Sequence, residues 1–260
     1  MRPARARQSP ARTPKGARTP RDNPSRKLIV ALDIDHLSPA VALARKLKGV
    51  VGTFKVGSQL FTSKGPRAVE KLAGLGFAIF LDLKFHDIPN TVGHAVAAAS
   101  KLPGVRLMTL HAANGFAGLK AAREAVGSRK NRPLLLGVTV LTSFDLATLQ
   151  QIGMEGSLES RVLALAQLAK DAGLDGVVTS AYEAPAVRRT FGPEFKILVP
   201  GVRPAAAALN DQSRVATPAD AVRAGADYLV VGRPITAAKG PREAARAIVK
   251  EIAGAAAPGP

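Results

Sequence analysis

The sequence AIFLDLK at residues 78–84 leads, through a short polar loop, into an alanine-rich stretch at 89–101 that begins with a proline. Short runs of aliphatic and aromatic residues are typical of buried strands. An alanine-rich segment with proline at its first position is typical of a helix. Residues 78–101 therefore predict one strand followed by one helix.

The same strand-then-helix unit recurs eight times along the chain. Strands are predicted at Leu28–Asp33, Val50–Val56, Ala78–Lys84, Leu107–Leu110, Leu134–Val140, Gly176–Thr179, Lys196–Val199 and Tyr228–Val231. Helices are predicted at Ser38–Lys48 (with Ser38 as its cap), Pro66–Leu75, Pro89–Lys101, Phe116–Val126, Leu158–Ala172, Glu183–Thr190, Pro218–Ala224 and Pro241–Ile252.

This alternation requires a parallel sheet that is buried on both faces. Eight units in about 250 residues fit a closed α/β architecture, the (β/α)8 TIM barrel. An open, doubly wound sheet is the alternative. No G-x-G-x-x-G follows the first strand, so the dinucleotide-binding form of that alternative is disfavoured.

Composition divides the chain into a body and two ends. Residues 1–26 contain five prolines and many arginines but almost no large apolar side chain, which predicts a disordered basic arm. We expect one catalytic barrel domain over 27–254 and a flexible tail over 255–260. The formal net charge is +18, of which residues 1–27 carry +8.

Several classes of protein are disfavoured by composition. The chain has no cysteine, no apolar run long enough to span a membrane, and no apolar core of a secretory signal near its start, so we expect a cytoplasmic protein. The four histidines lack metal-binding spacing, and we expect no metal site. The basic charge suggests a nucleic-acid-binding protein as one alternative. Aromatic residues make up only 4% of the chain, however, and no nucleic-acid-binding motif is present, so a nucleic-acid partner is disfavoured.

Charged residues stand at the carboxyl ends of the first three predicted strands, where barrel enzymes place their chemistry. They are Asp33 and Asp35 after the first strand, Lys55 in the second, and Asp82 and Lys84 in the third, with Asp87 in the loop beyond. Strand alternation puts Asp82 and Lys84 on one face, and opposite charges keep one another ionised. The array offers a protonated lysine as general acid beside fixed negative charge. The alternative is an ion-pair network that only fixes the barrel interior.

The seventh and eighth strands lead into VPGVRP (199–204) and VVGRPIT (230–236). The loops after these two strands are the usual phosphate site of the barrel. Arg203 and Arg233 can hold phosphate oxygens, and Gly232 can supply a backbone N–H. A plain turn composition is the alternative, but two such loops in these positions favour phosphate binding.

The body of the chain resembles the orotidine 5′-phosphate decarboxylase family, and its bacterial branch in particular. The matching segments are ALDID (31–35), FKVG (54–57), FLDLKFHDIPNT (80–91), GVTVLTS (137–143), PGVRP (200–204), Asp211–Gln212 and DYLVVGRPIT (227–236). The resemblance implies decarboxylation of orotidine 5′-phosphate to UMP, without a cofactor, by a homodimer.

The resemblance also implies a role for each matched residue. Lys84 would protonate C6 of the ring, Asp82 would lie near the departing carboxylate, and Asp33 and Lys55 would contact the ribose. The remaining positions are Thr142 (or Ser143) at the pyrimidine edge, Arg203, Gln212, Gly232 and Arg233 at the phosphate, and Asp87 and Thr91 in the neighbouring subunit's site.

A second enzyme remains an alternative. Aldolases of the 3-hexulose-6-phosphate synthase type share D-x-K-x-x-D and the phosphate loops but act on sugar phosphates, commonly with Mg²⁺. The Thr142–Ser143 pair and the intact FHDIPNT string favour the pyrimidine substrate.

Overall fold

The computed structural model describes residues 23–129, 131–204 and 216–255. Eight parallel strands pair in chain order, and the eighth closes on the first. The strands are β1 (Leu28–Ala31), β2 (Thr53–Gly57), β3 (Ala78–Phe85), β4 (Val105–His111), β5 (Leu134–Val138), β6 (Gly176–Val178), β7 (Lys196–Val199) and β8 (Tyr228–Val231). The predicted (β/α)8 barrel is confirmed, and the open sheet is excluded.

Helices surround the barrel in the described part of the chain. They are α1 (Leu37–Leu47), α2 (Ser58–Lys64), α3 (Pro66–Ala73), α4 (Pro89–Ala99), α5 (Gly115–Ala125), α6 (Leu146–Gln151), α7 (Leu158–Asp171), α8 (Ala184–Phe191), α9 (Pro218–Arg223), α10 (Arg233–Thr236) and α11 (Pro241–Ala255). The short helices α2, α6 and α10 were not predicted. The predicted Ser38 cap is wrong, because α1 begins at Leu37 with His36 before it and without a side-chain cap.

The strands alternate between two apolar cores. Leu28 and Val30 of β1 pack outward against the helices, whereas Ile29 and Ala31 belong to a core inside the barrel. Phe80, Leu107, Leu136, Val138, Val178, Leu198 and Val230 complete this inner core. Because side chains alternate along a strand, the next inward positions lie at the carboxyl end of the barrel, where the polar residues begin.

The opposite end of the barrel is held by ion pairs. Both guanidinium nitrogens of Arg132 bind the Asp175 carboxylate at 2.6 Å, just before β6. Arg188 binds Asp227 at 2.6 Å, just before β8, and also donates to three backbone carbonyls. These contacts stabilise the amino-terminal end of the sheet, which leaves the carboxyl end for the site.

The ends of the chain are only partly described. A 3-10 turn at Pro24–Arg26, capped by Asn23, is already ordered inside the stretch 1–26 that was expected to be disordered. The remainder of that basic arm, 1–22, and residues 256–260 of the expected tail lie outside the described residues. Among the residues that are described, no helix has the length and apolar character needed to cross a membrane.

Candidate active site

Four charged side chains meet at the carboxyl end of the barrel. Lys55 Nζ lies 2.8 Å from Asp33 Oδ1 and 3.6 Å from Asp82 Oδ2. Lys84 Nζ lies 3.0 and 2.9 Å from the two oxygens of Asp82. Asp33, Lys55, Asp82 and Lys84 therefore form one continuous row, in which charges of opposite sign alternate. Lys55, Asp82 and Lys84 come together as predicted, whereas Asp87, predicted to join them, is not in the row.

Strand β3 leaves regular geometry at Lys84. Its φ is 50°, and among the described residues it is the single non-glycine residue with a positive φ. The register with β4 shifts between Leu81 and Phe85. Asp82 and Lys84 share one face as predicted, but the backbone at Lys84 is not that of a regular strand. A non-glycine residue in this region carries roughly 1–3 kcal/mol of strain, which persists only where neighbouring contacts enforce it.

Thr109 on β4 supplies such contacts. Its hydroxyl accepts a hydrogen bond from Lys84 N at 3.0 Å and donates one to Asp82 Oδ1 at 2.8 Å. Thr109 is fully buried, so both bonds are shielded from water. The side chain therefore holds the backbone at Lys84 and the carboxylate of Asp82 in a fixed relation.

Asp82 is the buried centre of the row, with only 7% of the residue exposed. Burial by itself raises the pKa of this carboxyl, but the charges of Lys84 and Lys55 and the hydrogen bonds from Lys84 and Thr109 outweigh it. The pKa of Asp82 is therefore lowered from its ordinary value. The carboxylate is ionised at neutral pH, and its negative charge stabilises the two ammonium groups beside it.

The charged row separates two compartments of one cavity. The larger has a volume of 530 Å³ and is lined by polar groups that include Asp33, Gln59, Arg203 and Arg233. The smaller has a volume of 150 Å³, and its walls are mostly apolar. Lys55, Asp82, Pro200 and Val230 line both. This arrangement suits a ligand with an anionic end and a flat, weakly polar end.

The predicted phosphate loops both face the larger compartment. Arg203 and Gly201 follow β7, and Gly232 and Arg233 follow β8, and all four line its wall. Arg203 is buried, with its backbone N–H bonded to Ala216 O at 3.0 Å. Gln212, predicted to join this group, lies outside the described residues.

The smaller compartment combines apolar walls with two polar residues from the predicted set. Thr142, after β5, and Lys84 line it together with side chains of the inner barrel core such as Phe80, Val138 and Leu198. A planar ring in this space would contact apolar side chains on its faces, with Lys84 and Thr142 at its edges.

Asp87 and Thr91 do not line either compartment as the described residues form them. Both are exposed, on the loop after β3 and on the first turn of α4. Asp35, which also follows β1, does not line the cavity, and its Oδ1 accepts a hydrogen bond from Gln59 Nε2 at 2.6 Å. Of the two acids that follow β1, Asp33 is therefore the one that lines the cavity.

Sequence reasoning missed or left unassigned several residues around the row. Thr109 stands two residues after inward-facing Leu107, and this spacing was the one available signal for it. The rings of His86 and His111 lie 5.3 Å apart, although nothing in their spacing indicated it. Across the described residues, no group of three or more acidic, histidine or cysteine side chains is arranged to hold a metal ion.

Comparison with known proteins gives a consistent result. Residues 26–248 match the model of the orotidine 5′-phosphate decarboxylase / HUMPS family. Orotidine 5′-phosphate decarboxylase of Nitrosococcus oceani is 52% identical over 87% of this chain and 97% of its own length. The protein of the same name from Halorhodospira halophila is 54% identical over 88% and 97%. The crystal structure of the Lactobacillus acidophilus protein of that name is 38% identical, with a TM-score of 0.77 over 87% of this chain and 99% of that one.

Proposed function

Because the chain belongs to the orotidine 5′-phosphate decarboxylase / HUMPS family, we propose that it is the enzyme that converts orotidine 5′-phosphate to UMP and CO₂. The observation that carries the proposal is the charged row between an arginine-lined compartment and an apolar one. The substrate has a phosphate for the first, a pyrimidine ring for the second and a ribose to span the row.

The proposed reaction needs one group at the reacting carbon. The bond between C6 and the carboxylate breaks, CO₂ leaves, and the electron pair stays on C6. Lys84 Nζ, an ammonium group at the edge of the apolar compartment, stabilises this negative charge and then donates its proton to C6. Solvent returns a proton to the amine. No cofactor takes part in this scheme.

The other residues bind and orient. Arg203, Gly232 and Arg233 hold the phosphate, and Gln212 is proposed to join them. Asp33 and Lys55 contact the ribose hydroxyls, and Thr142 contacts the pyrimidine edge. Asp82 keeps Lys84 in place and lies near the departing carboxylate. Binding energy from the phosphate can then be used at C6, which lies in the other compartment.

A titration separates this proposal from the sugar-phosphate aldolase. We expect UMP to bind, while uridine, which lacks the phosphate, binds at least about 100-fold more weakly. A hexulose 6-phosphate should not compete, with or without Mg²⁺. Binding of the sugar phosphate in preference to UMP, measured by calorimetry, would favour the aldolase.

Gly57 gives a prediction for the ribose contacts. A Cβ atom at this position would lie 2.6 Å from Lys55 Nζ and 3.4 Å from Asp33 Oδ1. Because the ammonium is the end of a flexible side chain, Gly57→Ala should displace it without unfolding the barrel. We expect UMP affinity to fall about tenfold while the free energy of unfolding changes by less than about 1 kcal/mol.

The matched control for this prediction is Gly52→Ala at the entry to β2, where an added Cβ would meet no atom within 4 Å. It should leave both quantities at the wild-type value. Equal losses of affinity in the two variants would contradict the role given to Gly57.

Asp87 and Thr91 are proposed to complete the site of a second copy of the chain in a homodimer. Both are exposed, and Ile88, which follows Asp87, is also 66% exposed. Phe116, near the start of α5, presents a second exposed apolar side chain (49%). A second copy seated here would cover this apolar surface and receive the Asp87 carboxylate. The resemblance of FLDLKFHDIPNT to the family supports the same arrangement.

Hybrid dimers test the shared site. Lys84→Ala and Asp87→Ala homodimers should each be nearly inactive. A hybrid with one subunit of each kind contains one intact site, since the Lys84→Ala subunit supplies Asp87 to its partner. We expect purified hybrids, isolated with two affinity tags, to recover about half of the wild-type turnover. A hybrid as inactive as its parents would contradict the sharing of Asp87.

A further inference from the structure

The side chain of Asn114 connects the ends of two strands to the loop that carries Asp87. Its Nδ2 donates to Phe85 O and to His111 O, both at 2.8 Å, and its Oδ1 accepts from Asp87 N at 3.0 Å. A side-chain amide has two N–H donors and one carbonyl oxygen. All three groups of Asn114 are therefore in use at one junction.

These bonds fix the backbone where the sheet no longer does. The ladder between β3 and β4 is irregular after Leu81 and ends with the pair Phe85–Leu110. Asn114 then bonds the backbone on both sides of His86. The Asp87 carboxylate lies at the surface, where Oδ1 accepts from Ile88 N at 2.7 Å. The path of the chain is thus held while the acid remains free to meet a partner.

Asn114 is itself held in place by its surroundings. A Cβ atom on Gly118, one turn along in α5, would lie only 2.9 Å from Asn114 Cβ. The helix therefore approaches Asn114 so closely that glycine is required at 118. The amide has little room to adopt another position.

From this geometry we infer that Asn114 is a positioning residue for Asp87, and that it acts on the active site of the partner subunit rather than its own. The inference rests on the proposed function, because it requires that Asp87 completes the partner's site. A misplacement of about 1 Å at a reacting group can cost about 100-fold in rate, so an anchor of this kind affects turnover.

The test places Asn114→Ala in one subunit or the other of the active hybrid. The only intact site uses Lys84 from the Asp87→Ala subunit and Asp87 from the Lys84→Ala subunit. Asn114→Ala in the Lys84→Ala subunit should lower hybrid turnover about tenfold or more, with UMP affinity changed less than turnover. Asn114→Ala in the Asp87→Ala subunit should lower turnover by less than about twofold. In that subunit residue 87 is already alanine, so there is no Asp87 for Asn114 to position.

This asymmetry separates positioning from general support of the fold. Equal losses in both placements, or a larger loss in the Asp87→Ala subunit, would overturn the inference. An inactive parent hybrid would overturn the shared site and this assignment together, whereas an active parent without asymmetry would overturn this assignment alone. Gly118→Ala, which pushes on Asn114, should show the same asymmetry. Asn23→Ala removes the cap of the 3-10 turn at Pro24–Arg26. It should not lower the turnover of the hybrid in either subunit.

Discussion

Lys84→Ala is expected to lower turnover of orotidine 5′-phosphate by at least about 10⁴-fold. In the proposed mechanism, the substitution removes both the ammonium that stabilises the charge on C6 and the proton that C6 receives. The proposed phosphate and ribose contacts remain, because Arg203 and Arg233 follow β7 and β8, away from β3, and Lys55 keeps its bond to Asp33. UMP should therefore still bind within about tenfold of the wild-type affinity.

The matched control is Lys71→Ala on the exposed face of α3, which should leave turnover unchanged. Circular dichroism would establish that the Lys84→Ala barrel is folded. If Lys84→Ala turns over substrate within about tenfold of the wild-type rate, Lys84 is not the proton donor.

Asp82→Asn is expected to lower turnover by about 10²–10³-fold. Asparagine has nearly the same shape but no charge, so Lys55 and Lys84 lose the carboxylate that lies between them. Lys84 also loses a bidentate contact, at 2.9 and 3.0 Å, that aims its ammonium group. Asp35→Asn, at an acid outside the cavity, is the control and should change turnover by less than about twofold. Similar losses in both variants would contradict the central place given to Asp82.

The same substitution has a signature in the pH dependence of stability. The pKa of Asp82 is lower in the folded protein than its ordinary value, so its ionised form stabilises the fold above about pH 4. That contribution is lost as the pH falls through the lowered pKa. Urea denaturation measures the free energy of unfolding of the wild-type and Asp82→Asn proteins. The difference between the two values should therefore be largest at neutral pH and should become smaller below about pH 4.

The barrel could be predicted because its signal is repeated. Eight short apolar runs alternate with helical segments, and β7 and β8 begin and end where the sequence indicates. Period-two alternation also placed Asp82 on the inner face, where it follows Phe80 of the inner core. The short helices α2, α6 and α10 were missed because each is an extra helix between a strand and the predicted helix of its unit, and its four to seven residues carry little periodicity.

Contacts between distant residues could not be predicted in the same way. Thr109 and Asn114 bind groups that lie 25 to 29 residues earlier in the chain, and neither contact leaves a local pattern. The positive φ of Lys84 is likewise contrary to the preference of lysine, and it follows from the shift in register between β3 and β4. The residues of the charged row could be identified from the sequence, but the side chains that hold them required the structure.

Under the proposed function, the side chains of this chain alone decarboxylate orotidine 5′-phosphate. The most direct test follows the loss of the orotidylate absorbance band in the presence of EDTA, together with the UMP and CO₂ that are formed. We expect the band to disappear at the same rate with and without EDTA, and each molecule consumed to yield one UMP and one CO₂. A reaction that stops in EDTA and resumes on addition of Mg²⁺, or a folded chain that binds UMP but leaves orotidine 5′-phosphate unchanged, would contradict the claim.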